Sequence, residues 1–555
     1  MEAKFLTPIQ LWKDFNPIKE ALDIAYVKSE SNNGFVRKGF YYTLETAEDG
    51  KARIYAEIVS LDDDKKKPVL IVLGDLNRNI NTQILEYAAS FGYTAAGLDY
   101  SASGGEEELK TKYPPSMEFA EYKHAVKNLD RAEPSARESC WFIWAKATRR
   151  LITALQEENQ ADINNLGIIG IKQGAIIMWQ VAAMDGRIKA ASSIVGSESM
   201  LYRGKSKFLP VDETELDESR VNWRAAISSE AYARFLPCPL IIAAATNNPE
   251  SDYDRLEDII NLVPENTPLT LLTCPRQDYQ ITEGALTTIR KWFGNYLKKP
   301  CFFPAQPKIT FEIFEGKAIF NIIVDESKKI RDVKLYYSYG ETDPAFRNWI
   351  SLDAEKKHDS YSVSPDVFDE SIRHYFFAVI TYQDNLEIST PEVYFIPQEQ
   401  GIEAVHAVKQ RIIYDAAKGT DTFAAASNSI IVKEENPGII KSAAGINGIR
   451  VTEGELFTYK IGDMRLLRVD DAILQLDANS ETDTNIIITL TALDEGEIKK
   501  YSTTIAIKGS LEWKKYSFSS LDFKTEEFLP LKSWQNVKKL EISAENVLFN
   551  NIIWV

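Results

Sequence analysis

The sequence predicts an α/β domain followed by two β-sandwich domains, and three observations carry that expectation. The chain has 555 residues, more than one hydrophobic core serves, so several domains are expected. From Ala52 to about Lys298, short apolar runs alternate with helical stretches, the pattern of a mostly parallel sheet covered on both faces. Beyond the proline-rich "KKPCFFPAQPK" the apolar period changes to two, as in sandwich strands. The expected boundaries are 1–300, 305–398 and 411–555.

In the first region the expected strands are "ARIYAEIVS", "PVLIVLG", "TAAGLDY", "LGIIGI", "AASSIVG", "PLIIAAAT" and "PLTLLTC". Each is a short run of β-branched or small apolar residues, as a strand buried on both faces requires. Between them, "ESCWFIWAKATRRLITALQEE" places Trp141, Trp144, Leu151 and Leu155 on one helical face, with Thr148 the polar member of that stripe. The middle region alternates in "ITFEIFEGKAIFNIIVD", "DVKLYYSYG", "HYFFAVITYQD" and "EVYFIPQ". A polar linker, "QEQGIEAVHAVKQ", leads to the last strand-rich region.

Composition narrows the partners. With 81 acidic and 64 basic side chains the formal charge is -17, which opposes binding to a phosphate backbone or an anionic membrane surface. Neither nucleic acid nor membrane is expected as a partner. The charged start and the absence of a long apolar run read as a cytoplasmic protein, unless a leader was removed. Cys140, Cys238, Cys274 and Cys301 lack metal-site spacing and read as buried thiols, so no metal or other cofactor is expected.

The segment "GIKQGA", after "NNLGII" and before "IIMWQVAAMD", has the layout of a strand, a tight turn and a helix. In one group of hydrolases that turn reads G-x-S-x-G and its serine is the nucleophile. Here the middle residue is Lys172, followed by Gln173. Ester hydrolysis at such a turn needs a histidine to carry the proton and a carboxylate to orient it, in the chain order nucleophile, acid, base. The four histidines are His124, His358, His374 and His406, so none lies between Lys172 and residue 300.

The first 300 residues resemble the acetyl-esterase, cephalosporin-C deacetylase and dienelactone-hydrolase group of α/β hydrolases. The matching stretches are "LWKDFNPIKEALDIAYV", "FGYTAAGLDY", "WFIWAKATRRLITAL", "AAMDGRIKAASSIVG" and "PRQDYQIT". The resemblance implies an α/β-hydrolase domain with a serine where Lys172 stands. It implies an acid where "AATNNPESDYDR" has Asn248, and a histidine where "PRQDYQIT" has Asp278 and Tyr279. Its oxyanion segment corresponds to "LGDL", with Gly74 kept and Asp75 beside it. All three roles of the triad are replaced.

Three readings of Lys172 follow. Its charge and the start of the following helix would suit a small anionic ligand. Alternatively, it pairs with Asp75, Asp278 or another pocket acid and fills the former site. As a desolvated base or nucleophile it would define a carboxylic-ester hydrolase of altered mechanism using Lys172, Asp278 and Tyr279. Arg149 and Arg150 read as structural ion-pairing residues, and Asp99 as either a ligand-edge residue or a turn acid. Ser197 and Ser199 follow a strand end without a histidine to activate them.

The middle region resembles fibronectin type III or immunoglobulin-like modules. The last, with "GINGIRV", "DAILQLDAN", "LEWKKYSFSSLDF" and "FNNIIWV", resembles galactose-binding-like jelly rolls, in which Asn550 and Asn551 stand where an acid often supports a structural calcium. That resemblance makes Trp513, Tyr516 and Trp534 candidate glycan contacts, against the alternative that they are core. The function expected from the whole is a catalytically inactive, esterase-like scaffold or ligand-binding protein. The alternatives are an altered esterase and a carbohydrate-binding protein. A protein partner or self-association is compatible with the exposed sheet edges that sandwiches present.

Overall fold

The computed structural model describes residues 5–63, 65–104, 109–196, 206–209, 217–300, 302–405, 409–420, 422–426, 430–432, 437–450, 454–466, 469, 471–494 and 496–555. Ser197, Ser199, Cys301 and His406 lie outside the described residues. The chain forms two compact units. The first comprises Met1–Ala244, Glu250–Leu272 and Thr288–Ala305; the second comprises Ala245–Pro249, Thr273–Thr287 and Gln306–Val555.

One sheet organises the first unit. Its strands are β1 (Ala25–Asn32), β2 (Phe35–Ala47), β3 (Gly50–Leu61), β4 (Lys67–Leu73), β5 (Thr94–Leu98), β6 (Ala161–Ile171), β7 (Ile188–Ile194), β8 (Leu240–Ala245) and β9 (Leu269–Cys274). Their order is β1-β2-β3-β5-β4-β6-β7-β8-β9. Strands β4 to β8 run parallel to their neighbours among themselves. Strands β1, β2 and β3 form an antiparallel meander, and β3 is antiparallel to β5. The sheet is therefore mixed, and β1 and β2 lie before the Ala52 start expected from the sequence. A two-residue turn at Glu48–Asp49 joins β2 to β3, with Ala47 paired to Gly50.

Helices cover this sheet in the manner that its apolar faces demand. The helix Cys140–Ala154 buries thirteen of its fifteen residues, because both its expected stripe and its flanks meet protein. Trp141, Trp144, Thr148 and Leu151 are all fully buried. Arg149 Nε meets Asp185 at 3.1 Å, an ion pair as expected. Arg150 does something else: its buried guanidinium donates to the carbonyls of Pro17, Glu20, Ala21 and Thr43, tying the N-terminal segment to the helix. Five donors in a planar fork make arginine suited to collecting carbonyls in this way.

The second unit holds two antiparallel sandwiches. The first stacks the sheet of Lys308–Phe314, Lys317–Ile323, Ser360–Val363 and Glu355–Lys357 on that of Ile350–Asp353, Ile330–Tyr339, His374–Tyr382 and Glu387–Ser389. Phe320, Leu335, Tyr337, Phe376 and Phe395 fill the space between. The second sandwich has a six-stranded and a five-stranded sheet around Leu474, Ile488, Leu540, Trp534 and Trp554. A small shared cluster, Ala345, Phe346, Ala424, Phe457 and Tyr459, joins the two. Beside it the Tyr339 hydroxyl donates to Asp463 at 2.9 Å, and Arg465 pairs with the same carboxylate at 3.0 Å. Burial alone would raise Asp463, but Arg465 and Tyr339 hold its carboxyl below the usual range.

Of the three aromatic residues weighed as glycan contacts or core in the last region, Trp534 lies in the core. Trp534 is fully buried, lies 4.8 Å from Trp554 ring to ring, and donates Nε1 to the Ala472 carbonyl, so its faces are unavailable to a sugar. Tyr516 also packs against this core. Trp513 is half-buried, with its ring against Gly448 and its Nε1 on Ser442 Oγ at 3.1 Å. Asn550 braces backbone on both sides, accepting from Ala416 N and donating to the Asn447 carbonyl.

Candidate active site: a lysine at the elbow

The turn between β6 and the helix Gly174–Met184 is built by its glycines. A Cβ on Gly170 would lie 2.4 Å from Ala175 Cα, and one on Gly174 would lie 2.4 Å from the Leu73 carbonyl oxygen. Both positions therefore exclude any side chain, and the chain reverses sharply between them. Lys172 takes the apex at φ 51°, in the left-handed region that an L residue enters at a cost. Its N–H donates to the Ile194 carbonyl and its carbonyl accepts from Ala175 N, which fix the apex between β7 and the helix. This is the geometry of a nucleophile elbow, with an amine where the hydroxyl would be.

The ammonium has a partner. Lys172 Nζ lies 3.4 Å from Asp75 Oδ2, and the two side chains are 27% and 26% exposed. Asp75 begins the turn after β4, where its Oδ1 also accepts from Leu76 N at 2.8 Å. Gly74 is confined by the same turn: its carbonyl accepts from the buried Tyr100 hydroxyl at 2.6 Å, and its N–H donates to the Asn79 carbonyl. Asn79 locks the turn by donating to the carbonyls of Asp75 and Leu76 and accepting from Ser101. Gln173 reaches the other way, to Glu250 at 2.5 Å. The elbow is thus neutralised by Asp75 yet remains in contact with solvent.

The expected acid and base positions belong to the second unit. Asn248 is 4% exposed and lies in the segment Ala245–Pro249. Its neighbour Asn247 donates to the carbonyls of Ala345 and Arg347, both in the first sandwich. In the base segment, Arg276 Nε donates to the Trp349 carbonyl at 2.9 Å, and Asp278 Oδ1 accepts from Tyr279 N at 2.6 Å. The other oxygen of Asp278 faces Lys539 Nζ at 3.5 Å. Lys539 also pairs with Glu541 at 3.1 Å and sits over the Phe457 ring. Burial works to discharge Lys539, but Tyr459, Asp278 and Glu541 outweigh it and keep the ammonium charged well above its ordinary range. Asp278 thus shares the Lys539 ammonium with Glu541, and Ile281–Thr282 pairs in parallel with Ile431–Val432.

The buried Asp99 accepts from Ser103 N, Gly104 N and Thr111 N, which holds the loop after β5; burial pushes its carboxyl up to about 6 despite these donors. His124 lies 3.8 Å from Glu118 beside a cleft of about 290 Å³ that Lys127, Arg131 and Cys140 also line. No elbow residue lines that cleft. Burial pushes the thiols of Cys140 and Cys238 up to about 12, so both are protonated at neutral pH. Among the described residues no group of three or more His, Cys, Asp and Glu side chains could hold a metal, and no helix is long and apolar enough to cross a membrane.

No family model and no curated protein matches this sequence. Solved structures do. The chain is similar to acetyl xylan esterase 1 from a Thermoanaerobacterium species at 15% identity, covering 52% of this chain and 92% of that chain with a TM-score of 0.40. It is similar to an acetyl xylan esterase from a Paenibacillus species at 14% identity, covering 51% and 91% with a TM-score of 0.39. A cold-adapted esterase from an Arctic intertidal metagenomic library matches at 14% identity, over 49% of this chain and all (100%) of that chain, with a TM-score of 0.34. The α/β-hydrolase-like fold of the first unit is carried by its own mixed sheet and by the elbow after β6.

Proposed function

We propose that this protein is a non-hydrolytic relative of the esterases, a pseudoenzyme whose α/β unit serves as a scaffold. The observation that carries this reading is the Lys172–Asp75 ion pair at the apex of the elbow, where an attacking hydroxyl is required. The histidine census supports it, because no imidazole lies between Lys172 and residue 300 to accept a proton. So does the engagement of Asp278 with Lys539, which leaves that carboxylate neutralised by a structural cation. Chemistry argues the same way. An acyl group passed from an ester to a lysine amine becomes an amide, and an amide resists the hydrolysis that would have to free the enzyme.

The test is saturation kinetics on p-nitrophenyl esters with wild type, Lys172→Ala and Asp278→Asn. The expected result is a slow rate, linear in ester concentration and alike in all three. Saturable hydrolysis lost in Lys172→Ala or Asp278→Asn would replace this reading with the altered esterase.

A further inference from the structure

We propose that β1 is a self-association edge, and that two copies of this chain pair their β1 strands antiparallel about a two-fold axis at Ser29. The strand ends the nine-stranded sheet and pairs with β2 along one side. All its residues except Lys28 are exposed, including Tyr26 at 51% and Val27 at 49%. An eight-residue edge carries main-chain donors and acceptors that a second strand would satisfy.

The identity of that strand follows from the charges. Residues 28–30 read Lys-Ser-Glu, so antiparallel pairing centred on Ser29 sets Lys28 opposite the partner's Glu30 and Glu30 opposite the partner's Lys28. Lys28 Nζ already lies 3.3 Å from Glu30 of its own strand, which puts both on one face. The pairing thus closes a ring of two cations and two anions.

Another long edge does not have this property. Glu497–Ile507 is bridged at Ser502 by the main chain of Lys524, and a two-fold axis there would set Lys500 against Thr504. The bulge between Tyr26 and Lys28 shortens the regular run on β1. A single pair of strands makes a small interface, so dissociation in the micromolar range is expected. Pairing uses the same patch on both copies, so it ends at a dimer.

Sedimentation equilibrium of the full chain, from about 1 to 200 µM at low and high salt, tests the proposal. Wild type is expected to show a monomer–dimer equilibrium weakened by salt. K28E and E30K are each expected to weaken it at least tenfold by setting like charges opposite one another. The double variant K28E/E30K restores the pairs in reverse and is expected to recover dimerisation, and mixing the two single variants is expected to give a heterodimer. Circular dichroism checks that each variant is folded. A monomer at every concentration, a dimer indifferent to either reversal, or a double variant that fails to recover would overturn it.

Discussion

Lys172 occupies a backbone position that costs it about 1 kcal/mol or more, and its partly exposed pair with Asp75 is worth less than that. Lys172→Gly should therefore be neutral to slightly stabilising in urea denaturation. A loss of more than about 2 kcal/mol would mean that the lysine makes a larger contribution than its pair with Asp75 accounts for. Asp99 gives the second prediction at this scale. Its folded-state pKa, about 6, lies above that of an exposed aspartate, so the folded state binds the proton more tightly. The stability this confers is full below about pH 4 and is lost as pH rises through 6. Asp185 and Asp463, held low by arginines, act in the opposite sense and lose their contribution as pH falls. A carbon-13 titration of the Asp99 carboxyl isolates its part, with a midpoint near 6 expected and one near 4 contradicting the burial argument.

The elbow is the element on which the site depends. Gly174 packs against the Leu73 and Gly74 carbonyls, so Gly174→Ala forces either β4 or the helix Gly174–Met184 to move. A cost of roughly 3 kcal/mol or more is expected from such overpacking, read as a large drop in melting temperature. Elements with this much packing were the ones readable from sequence. Strands β3 to β9 are buried enough to leave apolar runs, and Trp141, Trp144 and Leu151 mark the helix they lie on. Strand β1 left no such trace, because "AYVKSESN" buries neither face and so carries no alternation. Strand β2 could have been found from the Asp49–Gly50 turn signal that precedes β3. Trp534 left both readings open for a related reason: an aromatic residue beside a sandwich strand does not announce which side of the sheet it takes, and this one turns inward from the short helical turn Trp534–Asn536.

Across the whole molecule, the readable and unreadable parts of the site divide by sequence separation. Lys172, Gly74 and Asp75 were found because the elbow and the "LGDL" turn are local motifs. The fate of Asp278 was not, because Lys539 lies 261 residues away and no local pattern connects them. The same is true of Asn247, whose carbonyl partners are about a hundred residues on. Lys539→Met should leave Asp278 and Glu541 without their buried cation and destabilise the second unit by about 3–5 kcal/mol in chemical denaturation. A change under about 1 kcal/mol would show that the cluster contributes little. The absence of a catalytic cycle at Lys172 is tested most directly by counting p-nitrophenol released per protein molecule, with intact mass measured in parallel. At most about one equivalent above the uncatalysed release, accompanied by a stable acetyl adduct or by no adduct, is the expected result; many equivalents released above the uncatalysed rate by unmodified protein, and lost in Lys172→Ala, would contradict it.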